Sequence, residues 1–271
     1  MVRMNFIVHR VLPVGFLCAA LAGAQTPPLS GIAHVAFRVG DVKAAREFYQ
    51  KLGFEQAFEF AQGTETREAF LKVNDRQFIE LYPRTADAQP LGLMHVCYEA
   101  ADLAAVNADY IKRGLTPSVV RKAGAGNLLF TLHDPEDAVI EYTQYMPGSR
   151  HTEDRGKHLG EHRVSEQLLG AAFPVKDLGA MREFYASRLG FQDMGRGAHI
   201  LLKVPGGSNH FVELESAASQ AKAGLWFGIA DARRAAADLE KRGFTVKAAP
   251  TSVSVTDPDG VTIWFTVSAG Q

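Results

Sequence analysis

Cysteine is nearly absent, with 2 in 271 residues. Such a chain cannot be held by the disulfide framework that staples small secreted proteins. Charge of one sign is lacking too: 29 Lys and Arg face 30 Asp and Glu, for a net charge of -1. That balance argues against nucleic acid or an anionic membrane as partner. No membrane span is expected either. The apolar run VLPVGFLCAALAGA is shorter than the ~20 residues a transmembrane helix needs. Its flanks are instead those of a secretory signal peptide: Arg3, His9 and Arg10 before it, and Ala22-Gly23-Ala24 closing it as a small-residue cleavage site. Residues 1–24 are therefore read as a signal peptide and the protein as exported, periplasmic or extracellular. Cleavage near Ala24 removes Arg3, Arg10 and Cys18, which takes the net charge to -3 and leaves Cys97 as a lone thiol.

What the chain does have is repetition. REFY at 46–49 returns at 182–185, an offset of 136, and LGF at 52–54 returns at 189–191, an offset of 137, so one residue is inserted between them. KRG at 112–114 returns at 241–243, and DPED at 134–137 as DPDG at 257–260. The chain is a duplication, and each half divides again. GIAHVAFRV alternates as a strand. Asp41 then caps the amphipathic helix VKAAREFYQKL, stopped by Gly53, and the strand-like runs FEQAFEF, REAFLKV and QFIELY follow. The next quarter repeats the order with LMHVCYEA, the helix DLAAVNADYIKRG, LLFTLHD and AVIEYTQY. The expected fold is α+β, four βαβββ modules in two domains, 30–146 and 167–268. Each domain is long enough to bury its own core. The stretch 147–166 between them, although it holds His151, His158 and His162, reads as a solvated linker of mixed charge.

Within the first domain, His34 stands seven residues before Asp41 and His95 seven before Asp102, while Glu80 and Glu141 fall in the last strand of each quarter. Side chains alternate along a strand, so these positions can converge on one sheet face. Two imidazoles and two carboxylates suit one divalent metal ion (Zn, Ni, Co, Mn or Fe(II)), and the carboxylates neutralise its charge. Without a cation, four such inward residues would be ionisable groups buried without compensation.

The segments HVAFRVGDVKAAREFYQKLGF, FIELY, HVCYE and DPEDAVIEY, echoed by FPVKDLGAMREFYASRLGF and DPDGVTIWF, resemble the vicinal oxygen chelate superfamily. It includes glyoxalase I, methylmalonyl-CoA epimerase, extradiol dioxygenases and antibiotic-resistance proteins. The resemblance spans almost the whole chain after the leader. It implies paired βαβββ modules around a metal cup, with ligands at His34, Glu80, His95 and Glu141. The full set is similar to glyoxalase I; extradiol dioxygenases use only the positions of His34, His95 and Glu141, for Fe(II). In the second half the same anchors give Gly170, Glu213, Gly224 and Trp264, so that cup is expected to be metal-free, with Trp226 and Trp264 filling its volume.

The expected function is thus a metal-dependent lyase or isomerase of the glyoxalase type. Its substrate would be a small oxygenated molecule other than the glutathione hemithioacetal, which an exported enzyme would rarely meet. Glu141 or Glu80 would be the catalytic base, a choice the sequence leaves open. Arg38 and Tyr82 are weaker candidates for substrate contact. The alternatives are an Fe(II) extradiol-type dioxygenase and a non-catalytic ligand-binding or resistance protein. Monomer and homodimer are both compatible with the sequence.

Overall fold

The computed structural model describes residues 27–195, 199–206, 208–219 and 222–268. Residues 1–24, which the sequence suggests are a signal peptide, lie outside the described residues. The four βαβββ modules form as the repeats predict. β1 (Leu29–Val39), β2 (Gln56–Gln62), β3 (Glu65–Asn74), β4 (Gln77–Pro83), β5 (Gly92–Ala100), β6 (Arg121–Lys122), β7 (Leu128–His133) and β8 (Val139–Gln144) make one eight-stranded sheet in the order β2-β3-β4-β1-β5-β8-β7-β6. The second half repeats that permutation. β9 (Leu168–Val175), β10 (Gln192–Asp193), β11 (Ile200–Lys203), β12 (Phe211–Ser216), β13 (Gly224–Ile229), β14 (Lys247–Ala249), β15 (Ser252–Thr256) and β16 (Thr262–Val267) run β10-β11-β12-β9-β13-β16-β15-β14.

Four aspartates at equivalent places start the helices of the four modules. Asp41 Oδ1 accepts from Lys43 N and Ala44 N, 2.8 and 3.1 Å, at the head of α1 (Val42–Lys51). Asp102 caps α2 (Leu103–Lys112), and Asp177 and Asp231 do the same in the second half. Each carboxylate satisfies helix N–H groups that have no acceptor within the helix. The inserted residue between REFY and LGF is absorbed locally. In the second half the short helix Leu178–Glu183 runs into a π-helical turn, Phe184–Arg188, where the first half has regular α-helix. A π-turn holds one residue more than an α-turn, so the flanking motifs keep their places.

The halves do not bury separate cores. Alternate strand residues such as Val35, Phe37, Leu71, Ile79 and Tyr98 form one continuous apolar cluster with Leu202, Leu225, Phe227 and Phe265 of the second half. The contacts across the seam come in symmetric pairs. Phe54 stacks on Phe227 at 5.1 Å and Phe191 packs edge-on against Tyr98 at 5.3 Å. The Asp259 carboxylate accepts from Gly40 N, and Glu136 Oε1 accepts from Lys176 N and Asp177 N. His210 is buried in this seam, where its Nδ1 accepts from Ile32 N at 2.9 Å. A Cβ on Gly31 would come within 2.0 Å of that imidazole, and Gly31 has φ of +123°, so the close approach requires glycine.

Residues 147–166 are not the solvated linker the composition suggests. Ser149, His151 and Asp154 are buried against the face of the first sheet that points away from the core. Lys72 on β3 is fully buried, and its ammonium bonds Asp154 Oδ2 at 2.9 Å and Lys157 O at 2.8 Å. His151 packs edge-on against Phe58, Phe70 and Phe78. A buried ammonium needs compensating acceptors, and this segment supplies them. The pairing is a tertiary one that local polarity does not reveal.

Candidate metal centre

The four central strands, β4-β1-β5-β8, bring the sequence-selected residues together. β1 pairs with β4 so that Ala36 lies opposite Glu80 and His34 opposite Phe78. Antiparallel pairing with β5 sets His34 against Cys97 and Ala36 against His95, and Cys97 in turn lies opposite Glu141 on β8. His34 is the hub. Its Nδ1 lies 3.2 Å from Glu80 Oε1, and its Nε2 lies 3.4 Å from Glu141 Oε1 and 3.2 Å from His95 Nε2. His34 and Glu80 are buried; His95 and Glu141 are partly so.

Two triads share the hub, His34–Glu80–His95 and His34–Cys97–Glu141. In each, one donor atom per residue lies within 4.8 Å of the others. Cys97 was not among the sequence candidates. Alternation from His95 does place it on the same strand face, and its buried thiol is held well up in pKa, first by desolvation and then by Glu141 and Glu80. Glu68 on β3 is a second addition. The Tyr82 hydroxyl lies within hydrogen-bond distance of both Glu68 and Glu80, the latter at 3.1 Å, so its one proton is committed to the carboxylates of the cluster. Arg38, at the far end of β1, donates to Pro90 O at 3.1 Å.

Burial and mutual charge set the protonation of the cluster. Desolvation opposes a charged His34, but Glu80 and Glu141 outweigh it and raise the imidazole to about 9. Desolvation raises Glu80 to about 8, with Glu68 and Glu141 adding and His34 opposing. Desolvation also lowers His95 to about 4. Glu141 goes the other way: burial would raise it, yet the bond and charge of His34, then the charge of His95, bring it to about 2. Burial and mutual charge thus push His34 and Glu80 towards their protonated forms and hold Glu141 anionic.

The donor set fits a divalent cation. It converges two imidazoles and two carboxylates, and His34 Nδ1 is buried without hydrogen-bond geometry to any described residue despite the nearby Glu80 oxygen. His34, Glu80, His95 and Glu141 would hold such an ion, with Cys97 beneath them.

The equivalent place in the second sheet is filled. Strand register confirms each correspondence: Gly170 opposite Phe211, Glu213 opposite Ala172, Gly224 opposite Ala172 across the other edge, and Trp226 opposite Trp264. The two indoles stack at 4.7 Å, and Trp226 Nε1 donates to Glu213 at 3.0 Å. A Cβ on Gly224 would fall 2.0 Å from the Trp264 ring, and one on Gly170 would fall 2.7 Å from Phe211. Aromatic rings therefore occupy the space of the missing ligands. His199 lies 3.5 and 3.6 Å from Glu213 and Glu215, half-exposed at the edge of this cup.

Comparison with known proteins agrees with this geometry. Residues 31–131 match the glyoxalase/bleomycin resistance protein/dioxygenase superfamily. Solved structures of similar fold include the 2,3-dioxygenase LapB from Pseudomonas sp. KL28, at 16% identity and a TM-score of 0.69, covering 91% of this chain and 94% of that one. The Mn(II)-bound glyoxalase from Novosphingobium aromaticivorans aligns at 16% identity and 0.67, covering 89% and 82%. A variant of homoprotocatechuate 2,3-dioxygenase from B. fuscum aligns at 16% and 0.66, covering 92% and 74%. No curated protein matches the sequence significantly. Residues 31–131 thus carry the sequence signature of that superfamily, and the two eight-stranded sheets repeat the paired-module fold of these solved structures.

Proposed function

We propose that His34, Glu80, His95 and Glu141 form a mononuclear divalent-metal centre, and that the protein is a metal-dependent lyase or isomerase of the glyoxalase type acting on a small molecule with two adjacent oxygens. The observation that carries this reading is the convergence of the other three side chains on His34, on adjacent strands of the sheet whose cup is not plugged by tryptophan. When bound, such a metal would draw electron density from the two oxygens and acidify the neighbouring C–H bond.

The protein's own groups handle the proton. Glu80 is the favoured base of the two glutamates, because the Tyr82 hydroxyl contacts and can orient its carboxylate, whereas Glu141 is held against His34. Glu141, held low by His34 and His95, stays a fixed anion. The Tyr82 hydroxyl bridges Glu80 and Glu68 and orients the Glu80 carboxylate through its Oε2. Proton removal at one carbon and return at its neighbour conserves electrons, so an isomerisation needs no co-reactant.

A second reading, an Fe(II) dioxygenase built on His34, His95 and Glu141, is favoured by the dioxygenase folds that align with nearly the whole chain. Metal analysis of purified protein followed by His34→Ala separates the readings. Ni, Zn, Co or Mn with an oxygen-independent activity supports the first; iron with O₂ consumption on catechols supports the second. A protein that takes up no divalent metal and is unchanged by His34→Ala refutes both. Export is part of the proposal and makes the substrate one met outside the cytoplasm. N-terminal sequencing of secreted protein is expected to begin near Gln25, and a product beginning at Met1 would contradict it.

A further inference from the structure

His151 comes from the segment between the two halves, on a four-residue helix, Arg150–Glu153. It lies on the sheet face that carries the metal-centre residues. Its ring sits 4.7 Å from Phe78 and 5.4 Å from Phe70, which pair in register with His34 and Glu80. Tyr145 stacks on it at 5.2 Å, and the charges of His34 and Glu141 both act on it.

The tautomer of this histidine follows from its neighbours. Asn127 Oδ1 accepts from Met146 N at 3.2 Å, so the other end of that amide is its NH₂ group. The Asn127 Nδ2 lies 2.9 Å from His151 Nδ1, which must then be the acceptor. The ring proton is on Nε2. That atom is buried, in a residue only 4% exposed, and it has no acceptor among the described residues. Burial, first, and then the charge of His34 keep the imidazole neutral, with its pKa lowered to about 3. A buried N–H donor without an acceptor is uncommon and costly.

We infer that His151 is a ligand-orienting residue of the first cup, whose Nε2–H donates to an oxygen of the small molecule held there. The inference rests on the metal-centre reading above. It also assigns a role to the segment between the halves: that segment packs on the sheet face carrying the quartet, and Asn127 sets the tautomer its histidine presents. An anionic or enolic oxygen is the chemical match, because hydrogen bonds to charged acceptors are the stronger ones.

The test uses Co(II)-loaded full-length protein with acetohydroxamate, a bidentate oxygen ligand, titrated by the visible Co(II) spectrum. His151→Phe keeps a ring against Phe58, Phe70 and Phe78 but removes the N–H. Cobalt stoichiometry is expected to be unchanged while hydroxamate binding weakens about 10- to 100-fold. His151→Gln, which restores an N–H, is expected to recover part of the loss. Hydroxamate binding to His151→Phe within about two-fold of wild type would overturn the inference and leave the metal centre standing. In that case the Nε2–H rests on a phenyl face. Wild-type protein that takes up no cobalt overturns both readings. Nitrogen-15 NMR of the wild-type imidazole gives an independent check on folded protein, since a proton found on Nδ1 would end the argument whatever the variants do.

Discussion

Loading a divalent cation into the first cup is expected to release about two protons at pH 7. Affinity should therefore climb steeply with pH. In the metal-free protein His34 is raised to about 9 and Glu80 to about 8, so both carry a proton at neutrality; His95, near 4, and Glu141, near 2, do not. Lone pairs on His34 and Glu80 become available only when those protons leave. Displacing them at pH 7 together costs roughly 4 kcal/mol, or about three orders of magnitude in apparent affinity. The logarithm of the binding constant should rise by about two per pH unit from pH 6 to 8 and level off above about 9. Calorimetric titration at one pH in buffers of different ionisation enthalpy counts the protons directly. Competition with a chromophoric chelator across pH 6–9 gives the slope. Stoichiometric binding with a pH-independent affinity between 6 and 8, and no buffer-dependent heat, would refute the assigned protonation of His34 and Glu80.

Other perturbations test the surrounding structure. Metal-free protein should be most stable near pH 6.5. Below that, His95 and His151 have folded pKa values under their unfolded value, so the unfolded state binds more protons and stability rises with pH. Above it, His34 and Glu80 hold protons the unfolded chain has lost, so stability falls by up to about 2–3 kcal/mol per pH unit towards pH 8. A melting temperature of chelator-treated protein that is flat or rising from pH 6.5 to 8.5 would contradict this. Lys72→Ala leaves the buried Asp154 without its ammonium and is expected to cost about 3–5 kcal/mol in urea unfolding. A loss below about 1 kcal/mol would show that segment 147–166 is not pinned there. Gly224→Ala drives a methyl into the Trp264 ring and should destabilise by about 1–3 kcal/mol, measured the same way. A neutral result would mean the plugged cup is loosely packed.

The order of elements and the metal-centre quartet were both legible in the sequence, because each rests on a local rule applied at repeated positions. Helix starts follow an aspartate that can cap them, and strand faces follow alternation. Duplication then aligns His34 with Gly170, Glu80 with Glu213, His95 with Gly224 and Glu141 with Trp264, and the register of the two sheets places every one of those residues at the matching point. The inserted residue before the second LGF was equally visible, although only the fold shows that a π-turn absorbs it.

Tertiary structure alone decided the rest, since it depends on which surfaces meet. Nothing local to PGSRHTEDRGKH distinguishes a solvated linker from a segment that compensates the buried Lys72 and seats His151 against the sheet; the ammonium donor and the aromatic rings that bind it lie on strands about 80 residues earlier. Glu68 joined the site because Tyr82, on the neighbouring strand, bonds it and Glu80 together. His210 became a buried seam residue because Gly31, 179 positions away, leaves room for its ring. Patterning along the chain specifies which face a side chain takes. What it meets on that face is settled only when distant strands pack, and here that packing determined the charge state of the centre and the tautomer of His151.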